Sequence, residues 1–206
     1  MSIPPPMSSS TSAPISETFT SVQGEGKLAG VPSWFVRFSG CNLRCSWCDT
    51  PYASWNAEPK QRGLQDLIAE AARVKAANVS HAVITGGEPM MFAQAEELAA
   101  ALRHLGMHIT VETAGTIYRD IACDLMSISP KLRNSTPQSN DPRDKDGVWQ
   151  LRHEARRINL DALQKLIDAY PARQLKFVVS DSQQLGEIEM LLGSLLGDEQ
   201  YEKQVD

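Results

Sequence analysis

The chain predicts an α/β fold, an open, partial (βα) barrel built on a parallel sheet. Three observations carry this prediction. Short β-rich apolar runs alternate with longer stretches of helical spacing from Glu17 onward. Five such strands fall short of the eight that close a full barrel. A polar, chemistry-bearing cluster follows each of the first four strands. Alternating βα units imply right-handed crossovers between parallel strands. In open sheets of this kind, sites form beyond the carboxyl ends of the strands.

Taken in order, residues 1–16 hold four Pro and six Ser among few apolar residues, so a flexible tail is expected there, ahead of one domain over 17–206. The tail has neither the apolar core of a secretion signal nor an Arg-rich amphipathic presequence, and the chain reads as cytoplasmic. Trp34-Phe35-Val36-Arg37-Phe38 reads as a strand leading into a cysteine loop. Leu64, Leu67, Ile68, Ala71, Ala72 and Lys75 are spaced for a helix with an apolar stripe. The strand His81-Ala82-Val83-Ile84-Thr85 breaks at Gly86-Gly87, and a helix over 95–105 stops at Gly106. His108-Ile109-Thr110-Val111-Glu112 and Leu125-Met126-Ser127-Ile128-Ser129 read as further strands. Residues 133–147 read as a polar surface loop. A helix over 160–169, a strand over 174–179 and a helix over 182–196 complete the expectation.

A length of 206 residues suits one domain, and 42% hydrophobic with 22% charged residues excludes wholesale disorder. No apolar run approaches the roughly 20 residues of a membrane helix. The net charge of −5, with no cluster of Lys and Arg, argues against a dedicated nucleic-acid binder. Four cysteines are too few for a disulfide scaffold, and three of them fall within eight residues, which points to metal in a reducing compartment.

Cys41-Asn42-Leu43-Arg44-Cys45-Ser46-Trp47-Cys48 has the spacing C-x3-C-x2-C. Closely spaced thiolates are soft ligands that wrap one metal centre from one loop. A structural zinc site wants four closed ligands, and no partner His or Cys lies at suitable spacing. Cys123 reads as ordinary core. Three ligands leave an open coordination position, as on a [4Fe–4S] cube with one iron free.

With Trp47 before its last cysteine, this loop resembles the signature of the radical S-adenosylmethionine (SAM) enzymes, and Thr85-Gly86-Gly87-Glu88-Pro89 resembles their Gly-Gly-Glu motif one βα unit later. The resemblance implies a radical SAM type barrel with a reduced core. It also implies that the methionine end of SAM chelates the free iron while the Gly-Gly-Glu motif meets its amino group. Glycines there suit close approach to a ligand, and a carboxylate suits an ammonium. Shorter motifs narrow the match. Ser21-Val22-Gln23-Gly24-Glu25-Gly26, Gly30-Val31-Pro32, Phe35-Val36-Arg37, Trp47-Cys48-Asp49-Thr50, Glu112-Thr113-Ala114-Gly115-Thr116, Ser129-Pro130-Lys131 and Leu175-Lys176-Phe177-Val178-Val179 run in the order of the 7-carboxy-7-deazaguanine synthase family, which the chain resembles over about residues 17–196.

Members of that family convert 6-carboxy-5,6,7,8-tetrahydropterin to 7-carboxy-7-deazaguanine with loss of ammonia, on the route to queuosine, and are typically homodimers. By resemblance, Cys41, Cys45 and Cys48 hold a [4Fe–4S] cluster, and Trp47, Cys48, Asp49, Gly87, Ser129, Pro130 and Lys131 lie along SAM. Val22, Gln23, Gly24, Glu25 and Thr85 face the pterin. Arg37 forks the substrate carboxylate, and Thr50 offers a hard hydroxyl oxygen to Mg2+. Reduction of the cluster is expected from a flavodoxin-like donor. His81, His104, His108 and the Met90-Met91 pair are read as packing or surface positions. His153 with Arg152, Arg156 and Arg157 is read as a solvated helix face. Two rivals remain at this stage, a glycyl-radical activase and a non-catalytic zinc module. Family members continue past the final helix with another strand, so the ending at Tyr201 to Asp206 suggests a chain shortened at its C-terminus.

Overall fold

A computed structural model describes residues 12–196; residues 1–11 and 197–206, on which the expected start of the tail and the chain's ending fall, lie outside it. Seven strands form one sheet: β1 (Ser12–Val22), β2 (Pro32–Phe38), β3 (Lys60–Gly63), β4 (His81–Gly86), β5 (His108–Thr113), β6 (Leu125–Ile128) and β7 (Arg173–Leu175). Their order across the sheet is β3-β1-β2-β4-β5-β6-β7. From β2 to β7 every pairing is parallel, as the alternating pattern predicts. The helices are α1 (Leu64–Ala76), α2 (Ala93–His104), α3 (Trp149–Glu154), α4 (Leu160–Ala169) and α5 (Gln183–Leu196).

Two strands were not legible. β1 pairs antiparallel with β2 and β3, so Ser12 to Ser16, expected within the tail, form strand with Ala13 and Ile15 fully packed. The Pro- and Ser-rich composition hid this strand, which lies between β3 and β2. β3 is four polar residues long and carries no alternating apolar pattern. The predicted strand over 174–179 is only Arg173–Leu175; beyond it Val178 and Val179 are exposed.

All the packing between layers lies on one face. Trp34, Val36, Phe38, Ala82, Ile84, Ile109, Val111, Met126 and Ile128 meet Leu64 and Leu67 of α1, Leu98 and Leu102 of α2, and Leu163 and Leu166 of α4. The alternate residues point the other way, and several are buried there: Ser33, Val83, Thr85, Thr110 and Ser127. Among the described residues the helices of the apolar cluster pack on the other face, and burial on this one is that of the inner side of a partial barrel. A β-bulge sets the same polarity in β1. Ile15 opposes Phe38 and Glu17 opposes Arg37, so Ser16 is the extra residue. It flips the strand and turns Glu17 and Phe19 to the inner face.

The turn after β4 is the tightest point in the core. A Cβ on Gly86 would lie 2.5 Å from the Phe38 carbonyl oxygen, and one on Gly87 would overlap the Gly40 carbonyl oxygen. These glycines therefore admit backbone against backbone, a role in addition to the expected approach to a ligand. Backbone cannot yield as a side chain can. Gly87→Ala is expected to cost at least about 2 kcal/mol, read as a lower urea midpoint with an unchanged m-value.

Candidate active site

The predicted clusters converge beyond the carboxyl ends of the parallel strands. The cysteine loop follows β2, Gly87 and Glu88 follow β4, Ala114 follows β5, and Ser129 to Lys131 follow β6. Cys41, Cys45 and Cys48 line one cavity of about 120 Å³ with Gly86, Gly87 and Lys131. Trp47, Asp49, Thr50 and Ser54 complete its wall on the loop side. Pro130 is buried beside the cavity. Ser129 reaches it through Lys131, whose Nζ donates to the Ser129 hydroxyl at 2.8 Å and sits 5.6 Å above the Trp47 ring.

All four cysteines are free thiols. Burial raises Cys41 to about 12, with the nearby Glu88 charge adding to it. Burial likewise raises Cys45 to about 11, against the pull of Lys131. Such thiols ionise only for a cation that repays the charge. Among the described residues no three His, Cys, Asp or Glu are placed to share a single metal ion. The three thiols share one cavity wall, and three soft ligands from one loop fit an iron–sulfur cube with one iron left free. Cys123 packs against the main core, as expected.

The loop has little regular structure, and its shape is imposed from outside. Gly40 N–H donates to Ala53 O at 2.8 Å, and Glu88 N–H donates to Gly40 O at 2.9 Å. Trp55 Nε1 donates to Cys45 O at 2.9 Å. Ser46 N–H donates to Ser135 O at 2.8 Å, and its hydroxyl donates to Asn134 O. The Cys48 sulfur lies 3.2 Å from the Ser54 hydroxyl, a neighbour that no sequence motif marked.

Both carboxylate oxygens of Glu88 accept hydrogen bonds from the protein itself. The residue is fully buried. Its Oε1 accepts from Met90 N–H at 3.0 Å and the Thr113 hydroxyl at 2.8 Å, and its Oε2 accepts from Ala114 N–H at 2.8 Å. Burial raises its pKa against the effect of these donors. Glu88 thus ties the end of β4 to the end of β5. Glu88→Gln would aim amide hydrogens at one of these N–H groups and is expected to cost about 1–3 kcal/mol, measured by urea denaturation.

His153 corrects the reading of a solvated face. It is fully buried, and Arg157 nearly so. Arg44 N–H donates to His153 Nδ1 at 3.1 Å, so the proton sits on Nε2, 2.9 Å from the Ser135 hydroxyl. Arg157 donates to Lys131 O and pairs with Glu154 and Glu187. The short helix α3 and the turn after it therefore hold both the cysteine loop and the Lys131 segment, a long-range contact that leaves no local pattern. Burial depresses His153 to about 4. Between an unfolded value of about 6.5 and that folded value, the unfolded chain takes up the proton first, so this stability is lost as pH falls through that window. Melting curves between pH 7 and pH 5 are expected to lose about 1–2 kcal/mol more in the wild type than in His153→Gln.

The predicted pterin residues stand apart from the cysteine cavity. Arg37 and Thr85 are opposite one another on β2 and β4. Arg37 Nε donates to Glu17 Oε1 at 2.8 Å, and the Tyr52 hydroxyl donates to the same oxygen at 2.6 Å. This Tyr52 bond, with Arg37 beside it, holds Glu17 below the usual carboxylate range. The two terminal amino groups of Arg37 make no hydrogen bond among the described residues, so a fork remains free. Val22 is exposed. Gln23 spends its backbone N–H on Val31 O and its carbonyl on Gly30 N–H, while its side-chain amide donates to the buried Ser33 hydroxyl. Gly24 has open space around it, whereas Gly26 is the glycine packed against Gln174. The loop lies over β7: Lys27 N–H donates to Gln174 Oε1, and Lys176 Nζ pairs with Glu25 at 2.5 Å.

Residues 35–181 match the profile of the radical SAM superfamily, and the chain belongs to that superfamily. It is 50% identical over 182 residues to the 7-carboxy-7-deazaguanine synthase of Halobacterium salinarum, covering 88% of this chain and 70% of the relative. With the synthase of the same name from Rhodopirellula baltica it is 45% identical over 188 residues, covering 91% and 70%. The crystal structure of QueE from Escherichia coli superposes with a TM-score of 0.66 at 26% identity, covering 91% of this chain and 80% of that one. The chain belongs to the 7-carboxy-7-deazaguanine synthase family. No described helix is long and apolar enough to cross a membrane.

Proposed function

We propose that the chain is a carbon–nitrogen lyase that converts 6-carboxy-5,6,7,8-tetrahydropterin to 7-carboxy-7-deazaguanine with release of ammonia. The observation that carries this reading is the single cavity that three cysteine thiols share with Gly87 and Lys131, in a chain 50% identical to a synthase of that name. Cys41, Cys45 and Cys48 would hold a [4Fe–4S] cluster that leaves one iron for SAM, and together these groups supply hydrogen-atom abstraction. Substrate and product differ by the elements of ammonia alone, so the hydrogen removed must be returned. The protein's part is therefore to keep the reacting atoms in register and water away through both transfers.

Trp47, Asp49, Gly87 and Lys131 line the cavity where the cofactor would lie, and Lys131 places a positive charge there. The free fork of Arg37 suits the substrate carboxylate. Thr85, nearly buried beside it, would donate to the ring. The Thr50 hydroxyl, 3.3 Å from Asp49 Oδ1, offers a hard oxygen to Mg2+. A flavodoxin-like reductant, a homodimer and a cytoplasmic setting accompany this reading.

Anaerobic reconstitution with iron and sulfide tests it. About four irons per chain are expected for the wild type, falling sharply in Cys45→Ala. Turnover of the carboxy-tetrahydropterin with SAM, reductant and Mg2+ is expected to fall at least about 100-fold in Arg37→Ala, because a charge-assisted fork is lost. Stoichiometric zinc with no uptake of iron overturns the reading.

A further inference from the structure

Arg44 stands between the first two cysteines of the loop but does not line the cavity they share. Its guanidinium folds back on the loop instead. Nη1 donates to Cys41 O at 2.8 Å and to Leu43 O at 2.7 Å. The guanidinium carbon lies 4.2 Å from the centre of the Trp149 ring, so an aromatic face covers the charge. With its backbone N–H on His153, the residue is fixed at both ends. The carboxylates of this region are committed to other partners. Glu154 and Glu187 pair with Arg157, and Asp141 pairs with Arg143. Asp144 accepts from the backbone N–H groups of Val148 and Trp149. Arg44 is half-buried and makes no ion pair among the described residues. It stands within electrostatic reach of Cys41 and Cys48. A half-buried cation without a carboxylate costs solvation unless another anion answers it.

We propose that Arg44, pinned by Trp149, is the counterion of the iron–sulfur cluster and that its charge raises the reduction potential. The assignment rests on the cluster reading above and deepens it. Reduction adds one electron from a low-potential donor to the cube. No bond is made or broken and no proton is needed, so the thiolate-bound group becomes more negative. A fixed positive charge beside it stabilises the reduced form more than the oxidised form. Cluster potentials follow net charge, hydrogen bonding and solvent exposure, and Arg44 acts through the first of these. It also masks the negative ends of the Cys41 and Leu43 carbonyls, which oppose the incoming electron. Lys131 faces the cavity where SAM would lie, whereas Arg44 acts from outside it. Arg44 therefore touches neither the substrate nor the reacting atoms, and its effect is read on the cluster itself.

The test is a redox titration of the full chain, reconstituted anaerobically with iron and sulfide and followed by electron paramagnetic resonance. Arg44→Met keeps an apolar contact with Trp149 and removes the charge. The equilibrium constant for reduction is expected to fall about 10-fold, which lowers the midpoint by about 60 mV for one electron. Arg44→Lys keeps the charge, loses the planar fork and is expected to restore most of the potential. Arg152 is an exposed cation 5.7 Å from the same ring. Arg152→Met is expected to leave the midpoint unchanged, because solvent and salt screen that charge. An Arg44→Met chain with its full complement of iron and an unaltered midpoint overturns the assignment. An Arg44→Lys chain shifted as far as Arg44→Met does so too, since the loss then belongs to loop geometry and not to charge. Should Arg44→Met take up no iron, Arg44→Gln, which can still donate to Cys41 O, replaces it with the same two outcomes. A wild type that takes up no iron overturns the cluster reading as well.

Discussion

The structure depends on a contact between two pieces of backbone. The end of β4 runs so close to Phe38 and Gly40 that only glycine fits at positions 86 and 87. Because of that contact, Glu88 N–H reaches Gly40 O, and the first cysteine is presented at the floor of the cavity. Glu88 then joins β4 to β5 through three buried hydrogen bonds. A loop with no ladder of its own thereby acquires the rigidity of the sheet, which an iron–sulfur centre built from one loop needs.

The two ends of the site are built differently. Around the thiols, the geometry comes from backbone and buried neutral groups: Ser54, Trp55, Ser135 and His153. Along the inner face, it comes from charged side chains set by strand register, Glu17 with Arg37 and Glu112 with Lys176. Fixed atoms suit covalent ligation, and charged groups at a set spacing suit a polar ligand. The curled sheet offers both geometries, because its strand ends converge on the cavity and its inner side chains form rows.

What could be read in the sequence was what is local. The C-x3-C-x2-C spacing, the Gly-Gly-Glu turn and the alternating βα pattern all lie in short windows, and the parallel strands they imply are present. What could not be read depends on partners far along the chain. His153 meets Arg44 across more than a hundred positions, and Lys176 meets Glu25 across more. β1 was hidden because after the bulge both its faces are mixed, Glu17 and Ser21 flanking Phe19 on one and Thr18 and Thr20 standing on the other, which gives no alternation to detect. The three protein donors on Glu88, from Met90, Thr113 and Ala114, could not be read from its motif either.

The bulge at Ser16 makes β1 two strands with opposite parity joined end to end. Its first half hands Ala13 and Ile15 to the helices; its second half hands Glu17 and Phe19 to the lumen. Loss of that single residue would swap the two sides of everything downstream to Val22, stranding the Arg37 counterion among aliphatic side chains. A codon deletion at position 16 is therefore a far heavier lesion than one among the polar residues 139–147. The freedom of this strand lies in substitution, not in length.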